Sequence, residues 1–384
     1  MSTLIDTLVI GGGLAGSAAA ITLARAGHAV TLVEKESQPH HKVCGEFLSH
    51  EALTFLRNLG VDVADLGAVP IESVRLAGGL GVSETALPFP AMSLTRKKLD
   101  EEMLRIAASS GAVIHRGRRV QTLERGLQGW NAVVEDGSTL AARTVFQASG
   151  KHDLYARARL SGSQSDLVAF KMYWRLAPEQ SQQLKSYVEL CLYRGGYAGL
   201  QLVEDGVANL CCLIRRSEFQ RLGGKWQTLL QAMKDDCRHL NQRLTGAEPQ
   251  LARPLAISAI PYGFIRAESD GLWHLGDQAA VIPSFTGDGM SIALHSGCLA
   301  ASMLLQGASP QEFQTRLHQE LAKQVPFATI LSKCLVAEPQ RTLLEAAARL
   351  LPSLLKAVAK RTRLQDAAAL PNPVATTGST VGIY

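Results

Sequence analysis

The sequence lacks the features that mark several large classes of protein. Its seven cysteines form no C-x-x-C pair and show no zinc-ligand spacing, so we predict neither a redox disulfide nor a bound metal. The formal net charge is only +5 over 384 residues, without a long run of lysine or arginine, which argues against a nucleic-acid partner. No run of about 18 uninterrupted apolar residues occurs, so no membrane-spanning helix is expected. We therefore expect a globular protein of the cytoplasm.

The strongest pattern in the chain lies in residues 8–34. An apolar run ends in a glycine-rich turn, a helical stretch follows, and a second apolar run ends at Glu34. Gly11 permits the tight turn, Gly13 lets the backbone approach a pyrophosphate, and Gly16 permits close packing of helix and strand. An acid at the end of the second strand suits a free ribose 2′-hydroxyl and disfavours a 2′-phosphate. The pattern predicts a β-α-β unit that binds FAD or NAD rather than NADP.

Two further glycine motifs follow far along the chain: the pair Gly276-Asp277, and Gly287-Asp288-Gly289 at the start of a helical stretch. With the fingerprint, they make most of the chain resemble the FAD-dependent oxidoreductases of the para-hydroxybenzoate-hydroxylase-like superfamily, the group A flavin monooxygenases. Within that superfamily the chain is most similar to the geranylgeranyl-reductase branch. The resemblance implies FAD as the cofactor. It also implies an α/β fold: a Rossmann-type, glutathione-reductase-like FAD-binding domain, an antiparallel-sheet substrate domain and a helical C-terminal segment.

The resemblance also implies roles for individual residues. Asp277 would bind a ribityl hydroxyl, and the turn at Gly287, Gly289 and Met290 would bring backbone N–H groups to the flavin N1–C2=O edge. A helix N-terminus stabilises an anion there by about 0.3–2 kcal/mol. Arg96 would lie near the isoalloxazine and the phosphates, the alternative being a solvated helix start. The predicted cofactor-binding set is Gly11, Gly13, Leu14, Ala15, Gly16, Glu34, Lys35, Arg96, Val120, Gly276, Asp277, Gly287, Gly289 and Met290.

A Cys-Gly pair follows the second predicted strand. In the geranylgeranyl-reductase branch such a pair lies beside the isoalloxazine and faces the substrate cavity, so Cys44 and Gly45 are the predicted flavin-facing wall. Two roles stay open for Cys44: a reactive thiol with a pKa lowered by the nearby Lys42, or a passive small residue. Catalytic work would belong to the flavin, so no Ser/His/Asp constellation is expected.

The spacing of predicted elements divides the chain into parts. Three strands near residues 168–176, 187–193 and 207–214 and one helix over 225–244 predict an antiparallel sheet with a covering helix. The predicted division is a discontinuous FAD-binding domain (1–65, 93–160 and 255–310), a substrate domain (66–92 and 161–254), C-terminal helices (311–370) and a flexible tail (371–384). Deletion of residues 345–384 is not expected to abolish FAD binding.

Two departures from the superfamily pattern bear on the reaction. Hydroxylases carry an Asp-Gly motif that serves both FAD and NAD(P)H, whereas this chain has Ser149-Gly150. Direct reduction by a nicotinamide is therefore in doubt, and the electrons come either from NADH or NADPH at a transient site or from a separate reductase. The halogenase pattern of two tryptophans followed by Ile-Pro is missing, which argues against halogenation.

Three functions remain open from the sequence. The first is hydroxylation of a hydrophobic small molecule through a flavin C4a-hydroperoxide, which the wider group favours. The second is C=C reduction of a polyprenyl or other conjugated alkene, with Cys44 or a hydroxyl assisting protonation. The third is FAD binding without turnover, as an electron-transfer module. The amphipathic segment Leu350–Arg363 suits either peripheral docking on a membrane or packing against the protein itself.

Overall fold

The computed structural model describes residues 4–155 and 157–364, so the predicted tail at 371–384 lies outside the described residues. The strands are β1 (Ile5–Ile10), β2 (Val30–Glu34), β3 (Phe47–Leu48), β4 (Val69–Gly78), β5 (Gly81–Ser93), β6 (Val113–Arg116), β7 (Val120–Gly126), β8 (Gly129–Val134), β9 (Thr139–Gln147), β10 (Leu167–Arg175), β11 (Ser186–Tyr193), β12 (Gly196–Leu202), β13 (Ala208–Arg215), β14 (Glu248–Pro249), β15 (Leu255–Ser258), β16 (Phe264–Ile265), β17 (Trp273–His274) and β18 (Ala280–Val281). The helices are α1 (Leu14–Arg25), α2 (His50–Asn58), α3 (Arg96–Ser109), α4 (Pro178–Leu184), α5 (Arg216–Arg221), α6 (Trp226–Asp236), α7 (Arg238–Arg243), α8 (Gly289–Leu305), α9 (Pro310–Leu321), α10 (Gln324–Leu335), α11 (Gln340–Leu350) and α12 (Ser353–Arg361).

The first sheet has the strand order β6-β2-β1-β9-β8-β7, with β17 beside β9. Strands β6, β2, β1 and β9 run parallel, as expected for a β-α-β unit with a covering helix. Helices α1 and α8 pack so closely that a β-carbon on Gly297 would lie 2.3 Å from the carbonyl oxygen of Ala15. This packing fixes the glycine-rich turn at the carboxyl end of β1.

The second sheet has the order β14-β10-β13-β12-β11-β4-β5-β3, with β15 beside β10. It is largely antiparallel, although β11 and β4 run parallel. Leu229 and Met233 of α6 and Leu240 of α7 cover one face, which leaves the opposite face toward the loops of the first sheet. The predicted α/β fold, with a Rossmann-type domain and an antiparallel-sheet domain, is confirmed.

The structure differs from the predicted elements in three places. Strand β12 was not predicted, because Gly196 and Gly199 interrupt its apolar pattern. The single helix expected over 225–244 is two helices, since Cys237 adopts an extended backbone conformation between them. The division at residue 255 also differs, because β15 pairs with β10 of the second sheet.

The C-terminal part of the described chain is helical. Helices α9 to α12 follow α8, and α12 packs along β5 of the second sheet. Among the described residues, no helix is long and apolar enough to cross a membrane.

Candidate functional site

The glycine fingerprint forms a turn that tolerates almost no side chain. Gly11 has a φ of +106°, and a β-carbon there would lie 2.4 Å from the carbonyl oxygen of Ala148. A β-carbon on Gly16 would lie only 1.9 Å from the carbonyl oxygen of Gly11. Helix α1 begins directly after this turn, with Leu14 and Ala15 buried in its first turn. The turn therefore presents free N–H groups of a helix N-terminus.

Two cations lie over the open side of Gly13. A β-carbon at Gly13 would be 3.5 Å from Arg96 Nη2 and 3.7 Å from Lys42 Nζ. Asp100 holds both, since Arg96 Nε lies 2.7 Å and Lys42 Nζ 2.8 Å from its carboxylate oxygens. Burial alone would lower the pKa of Arg96, but the charges of Asp100 and Cys44 and the hydrogen bonds to them together outweigh burial and raise it. A permanent positive charge above a helix N-terminus fits a pyrophosphate.

Glu34 ends β2 and turns toward the fingerprint. Its buried carboxylate accepts hydrogen bonds from the backbone N–H groups of Gly12 (2.6 Å) and Glu36 (2.9 Å). A small recess beside it is lined in part by Pro39, His40 and Lys97. The carboxylate thus lies at the mouth of a recess next to the fingerprint, as a ribose-binding acid would.

Two members of the predicted cofactor-binding set lie less favourably. Lys35 is partly exposed, with its Nζ 3.7 Å from Glu36 Oε1. Val120 is buried in the core of the first sheet with Leu8 and Val33, so its side chain does not face the recess. Only its backbone could contact a ligand.

The Gly-Asp pair lies beside the start of α1. Gly276 has a φ of +56°, and a β-carbon there would be 3.1 Å from the β-carbon of Ala15. Its N–H donates to Ser296 Oγ of α8 (2.9 Å). The neighbouring Asp277 is partly exposed, and its backbone oxygen accepts a hydrogen bond from Arg159 (2.5 Å). Residue 277 can therefore present its carboxylate to a ligand that lies along α1.

The third glycine motif forms the left-handed turn before α8. Gly287 has a φ of +74°, and a β-carbon there would lie 2.4 Å from Phe47 Cδ1. A β-carbon on Gly289 would meet nothing within 4 Å, so the first turn of α8, which also contains Met290, borders open space at Gly289. Asp288 between the two glycines is fully buried.

Asp288 connects this turn to the C-terminal end of the described chain. Its carboxylate lies 3.0 Å from Arg363 Nη1 and accepts a hydrogen bond from Gln324 (3.1 Å). Arg363 also donates to the backbone oxygen of Thr286. Burial raises the pKa of Asp288 to about 8, although Arg363 acts to lower it. Sequence reasoning missed this contact, because nothing in the local sequence links residues so far apart.

The predicted wall, Cys44 and Gly45, is held in place by the second sheet. Gln201 Nε2 and Asn209 Nδ2 each donate to the backbone oxygen of Gly45 at 2.9 Å, and Asn209 also reaches the oxygen of Cys44 (3.2 Å). Cys44 Sγ accepts a hydrogen bond from the N–H of Glu46 (3.3 Å). A β-carbon on Gly45 would meet nothing within 4 Å. The loop therefore has one face on the sheet and open space beside Gly45.

A buried ionic cluster lies behind this wall. Glu46 and Lys171 are both fully buried, with Lys171 Nζ 2.5 Å from Glu46 Oε1. Tyr173 Oη donates toward both oxygens of Glu46 (2.8 and 2.9 Å), and the backbone N–H of Arg96 donates to Oε1 (2.8 Å). Half-buried His41 places Nδ1 3.1 Å from Tyr173 Oη. These contacts form a continuous path from the half-buried His41 to the buried Glu46.

The protonation of this cluster follows from its burial. Burial raises the pKa of Glu46, although Lys171 acts to lower it. Burial and the nearby Glu46 also raise the pKa of Tyr173, while burial with the charge of Lys171 lowers the pKa of His41 to about 4. Sequence reasoning missed the cluster, although a lysine inside the apolar strand at 168–174 was an available signal.

The structure thus brings the separate motifs into one site. Gly276 lies against the start of α1, Gly287 lies against Phe47 just beyond the Cys44–Gly45 loop, and Ser49 Oγ is 2.8 Å from Ser291 Oγ of α8. The cations over Gly13 suit the pyrophosphate of FAD, and the open space at Gly45 and Gly289 suits its flavin ring. Within residues 4–155 and 157–364, no group of three or more His, Cys, Asp or Glu side chains is arranged to hold a metal ion.

The fold and the site define a nucleotide-binding flavoprotein. Residues 4–152 match the family described as "FAD binding domain". The chain is a flavin-dependent enzyme. The function as a non-catalytic electron-transfer module is therefore set aside.

Known proteins agree with this assignment. A menaquinone reductase of Mycolicibacterium smegmatis is 27% identical over 322 residues, which cover 80% of this chain and 78% of that protein. The flavin-dependent brominase Bmp2 has the same fold, with a TM-score of 0.77 at 19% identity over 97% of this chain and 96% of that one. A geranylgeranyl bacteriochlorophyll reductase-like protein of Thermoplasma acidophilum gives a TM-score of 0.73 at 18% identity, over 93% and 99% of the two chains. At these identities the two solved structures show the fold alone.

Proposed function

We propose that the protein is an FAD-dependent reductase that saturates a C=C bond of a prenylated quinone or a comparable apolar conjugated molecule. The buried cluster of Glu46, Lys171 and Tyr173 behind the Cys44–Gly45 loop carries this proposal. Reduction of a double bond consumes one proton for every hydride, and a set of proton-carrying groups in mutual contact can provide it. The similarity to a menaquinone reductase over four fifths of the chain supports the substrate class.

FAD binding through the motifs is the first part of the proposal. Bound FAD would supply the hydride and would in turn be reduced by an external donor. Arg96 and Lys42 would neutralise the pyrophosphate, and Glu34 would accept hydrogen bonds from the ribose. The residues proposed to surround the rest of the cofactor are Gly45, Asp277, Gly287, Gly289 and Met290.

The second part concerns the proton. In the balanced reaction one carbon of the double bond gains the hydride and the other gains a proton. The buried pair of Glu46 and Lys171 would hold that proton. It resides on Lys171 Nζ, 2.5 Å from Glu46 Oε1, and the Glu46 carboxylate would accept it as it is passed on. Tyr173 Oη contacts Glu46 on one side and His41 on the other, so it would return a proton from the half-buried His41. Cys44 would then be a wall residue. Its Sγ accepts a hydrogen bond from the backbone N–H of Glu46.

The source of electrons is the third part. Ser149 stands where the hydroxylases have an aspartate. Its hydroxyl donates to the backbone oxygen of His152 (2.7 Å). We propose that a separate reductase supplies the electrons, with NADH or NADPH at a transient site as the alternative. Anaerobic mixing of the purified holoprotein with each nicotinamide tests this directly: rapid bleaching of the flavin would contradict the need for a second protein.

Hydroxylation remains the second candidate function. Buried aromatic side chains, with the rings of Tyr197 and Phe285 6.0 Å apart and Tyr262 in the same apolar cluster, form a water-poor region between the second sheet and the α8 turn. Exclusion of water is what oxygen transfer to an organic substrate requires. A reductase and a hydroxylase can both use such a region, so the products must distinguish them.

The test compares products formed without and with oxygen. Chemically reduced holoprotein is mixed anaerobically with a menaquinone in D₂O, and the product is analysed by mass spectrometry. We expect reoxidation of the flavin and, after any quinol has been reoxidised in air, a product that keeps two added hydrogen atoms on carbon. Both should be deuterium, because the N5–H of reduced flavin exchanges with the solvent. The variant Glu46→Gln should slow this step while leaving the bound flavin spectrum unchanged. A product that forms only in air and gains an oxygen atom would overturn the reductase proposal in favour of hydroxylation.

The placement of FAD is tested by Gly289→Ala. Its new β-carbon would meet nothing within 4 Å of protein and would instead occupy the space assigned to the flavin. We expect unchanged stability of the apoprotein and FAD affinity that is weaker by about tenfold or more, or ~1.4 kcal/mol. Gly79→Ala in the β4–β5 turn is the matched control, because its β-carbon also meets nothing within 4 Å. Equal FAD affinity in both variants would remove α8 from the proposed cofactor site.

A further inference from the structure

The end of the described chain carries apolar side chains that no part of the described protein covers fully. Leu350 and Leu351, at the turn between α11 and α12, are 80% and 58% exposed. Leu343 on α11 and Leu354 on α12 are exposed beside them. Exposure of several neighbouring leucines on one helical hairpin marks a site of interaction rather than ordinary surface.

The tip of the β4–β5 hairpin extends this apolar area. Leu80 and Val82 are exposed there, and two hydrogen bonds hold the tip against α11. The N–H of Leu80 donates to Glu345 Oε2 (3.1 Å), and Arg349 donates to the backbone oxygen of Leu80. Two separate segments are therefore fixed side by side. We refer to Leu80, Val82, Leu343, Leu350, Leu351 and Leu354 with the basic residues of α12 as the leucine-basic surface.

The net charge of the chain is concentrated in α11, α12 and the two residues that follow them. Residues 340–363 contain six lysines and arginines and one acidic residue, a formal charge of +5, which equals the net charge of the whole chain. The remaining residues therefore sum to zero. Lys356, Lys360 and Arg361 are exposed on α12. At 1.5 Å per residue, all three lie within about 11 Å of Leu354 along the helix axis.

We propose that the leucine-basic surface docks the protein on an anionic lipid bilayer. Exposed leucines can enter the boundary between headgroups and acyl chains, while lysines and arginines bind anionic headgroups. A second copy of this chain fits less well, because Lys356, Lys360 and Arg361 would then face the same three cations of the other copy and repel them. Docking would bring the enzyme to an apolar substrate dissolved in the bilayer. That last step rests on the proposed function, whereas docking itself does not.

The test is flotation of the purified full-length holoprotein with vesicles, in the absence of substrate. Vesicles of phosphatidylcholine with phosphatidylglycerol are compared with vesicles of phosphatidylcholine alone. We expect binding to the anionic vesicles that weakens at high salt, because salt screens exposed charges. The double variant Leu350→Asp/Leu351→Asp should lower the bound fraction at least tenfold. Lys356→Gln/Lys360→Gln/Arg361→Gln should lower the partition coefficient by about 100-fold, given roughly fivefold per charge.

Matched controls change the same chemistry elsewhere. Leu127→Asp alters a leucine that is 107% exposed in the β7–β8 turn. Lys185→Gln/Lys225→Gln/Arg253→Gln removes the same charge from exposed positions outside the surface. Both controls should bind vesicles like the unaltered protein, and all variants should keep bound FAD and turn over a short-chain, water-soluble quinone at the unaltered rate.

Three results would overturn the docking proposal. They are absence of binding to anionic vesicles, equal loss of binding in the variants and their controls, and light scattering that shows a dimer broken by Leu350→Asp/Leu351→Asp. The last would make the surface a protein interface. None of them bears on turnover of the soluble quinone, so failure of docking and failure of the reductase proposal are distinguishable.

Discussion

Glu46 combines three conditions that local sequence rarely imposes together. Its backbone has a φ of +62°, a left-handed conformation that residues other than glycine seldom adopt. Its side chain is fully buried and paired with an equally buried lysine. A buried ion pair is costly to desolvate. The stability lost when it is mutated depends strongly on whether one partner or both are removed. The position is therefore explained better by a role in the site than by stability.

The pair of Glu46 and Lys171 gives a double-variant prediction. Glu46→Gln keeps the shape and the bonds to Tyr173 but leaves Lys171 buried without its counter-charge, so we expect a loss of about 3–5 kcal/mol in the free energy of unfolding. Adding Lys171→Met to that variant should recover a large part of the loss, since no buried charge then remains. Chemical unfolding of the four proteins measures the coupling. Losses that simply add would contradict a buried ion pair.

His41 gives a pH prediction. Its pKa in the folded protein is about 4, below the ordinary value of 6.5, because of burial and the charges of Lys171 and Lys97. Between these two pH values the unfolded chain binds more protons than the folded one, so the free energy of unfolding falls as pH drops from 6.5 toward 4. Since His41 is half-exposed, we expect its share to be about 1 kcal/mol.

Unfolding measured across this pH range tests the assignment. The variant His41→Asn should lose its part of the pH dependence, while His50→Asn, at the exposed start of α2, should keep it. Parallel pH profiles for His41→Asn and the unaltered protein would show that His41 does not titrate with a lowered pKa.

Much of the candidate site could be predicted at the level of residues. Gly11, Gly13 and Gly16 are constrained by a local turn, and a pattern of adjacent residues reports such a turn. Glu46 and Lys171 are joined by tertiary contact across 125 positions, and a lysine in an apolar strand does not reveal its partner. Local steric rules were sufficient for the first group, and only the fold could supply the second.

At the level of elements, the ends of helices decide how the parts of the site are held. Helix α8 begins at Gly289, but the preceding Asp288 is fixed by α10 through Gln324 and by the residues after α12 through Arg363. Gln324 also donates to the backbone oxygen of Thr362. The C-terminal segment is therefore joined to the turn proposed to face the flavin. We therefore expect deletion of residues 345–384 to weaken FAD binding without abolishing it.

Arg363→Met tests this connection. Loss of the guanidinium leaves the buried carboxyl group of Asp288 and the oxygen of Thr286 without their partner, so we expect the free energy of unfolding to fall by about 1–3 kcal/mol. The FAD dissociation constant should rise by about tenfold, or ~1.4 kcal/mol, because the turn before α8 loses its support. Both are measured on the apoprotein, by chemical unfolding and by FAD titration. Lys360→Met, an exposed change on α12, is the control and should alter neither quantity.

Some elements could be predicted from the sequence, whereas strand β12 and the break between α6 and α7 could not. The β-α-β unit follows from its glycine turn between two apolar runs, and α3 follows from the helical spacing of Leu99, Met103 and Ile106. Strand β12 is buried on both faces and contains two glycines, so it has no alternating pattern to report it. The backbone is extended at Cys237 between α6 and α7, yet the apolar spacing of Met233, Cys237 and Leu240 continues through the break, so the sequence pattern does not show it.

At the scale of the whole molecule, the two sheets meet at the Cys44–Gly45 loop. The loop leaves β2 of the first sheet, and its backbone oxygens accept hydrogen bonds from Gln201 and Asn209 of the second. The residues that would bind the phosphates and ribose belong to the first sheet and α3. A ligand bound there should therefore stabilise the second sheet as well, and the loop is the route by which it would do so.

The four tryptophans provide a direct test of this coupling. Trp130 and Trp273 belong to the first sheet, whereas Trp174 lies on the second sheet and Trp226 on its covering helix. In the double variant Trp130→Phe/Trp273→Phe, tryptophan fluorescence therefore reports only on the second sheet and its helix. FAD at about 100 times its dissociation constant should stabilise the unfolding seen by this fluorescence by ~2.7 kcal/mol, as it does the whole protein. Adding Gln201→Ala and Asn209→Ala should shrink that shift while FAD affinity changes little. If FAD does not shift the unfolding followed by fluorescence in Trp130→Phe/Trp273→Phe, the two sheets unfold independently. The loop would then position the flavin wall without coupling the sheets.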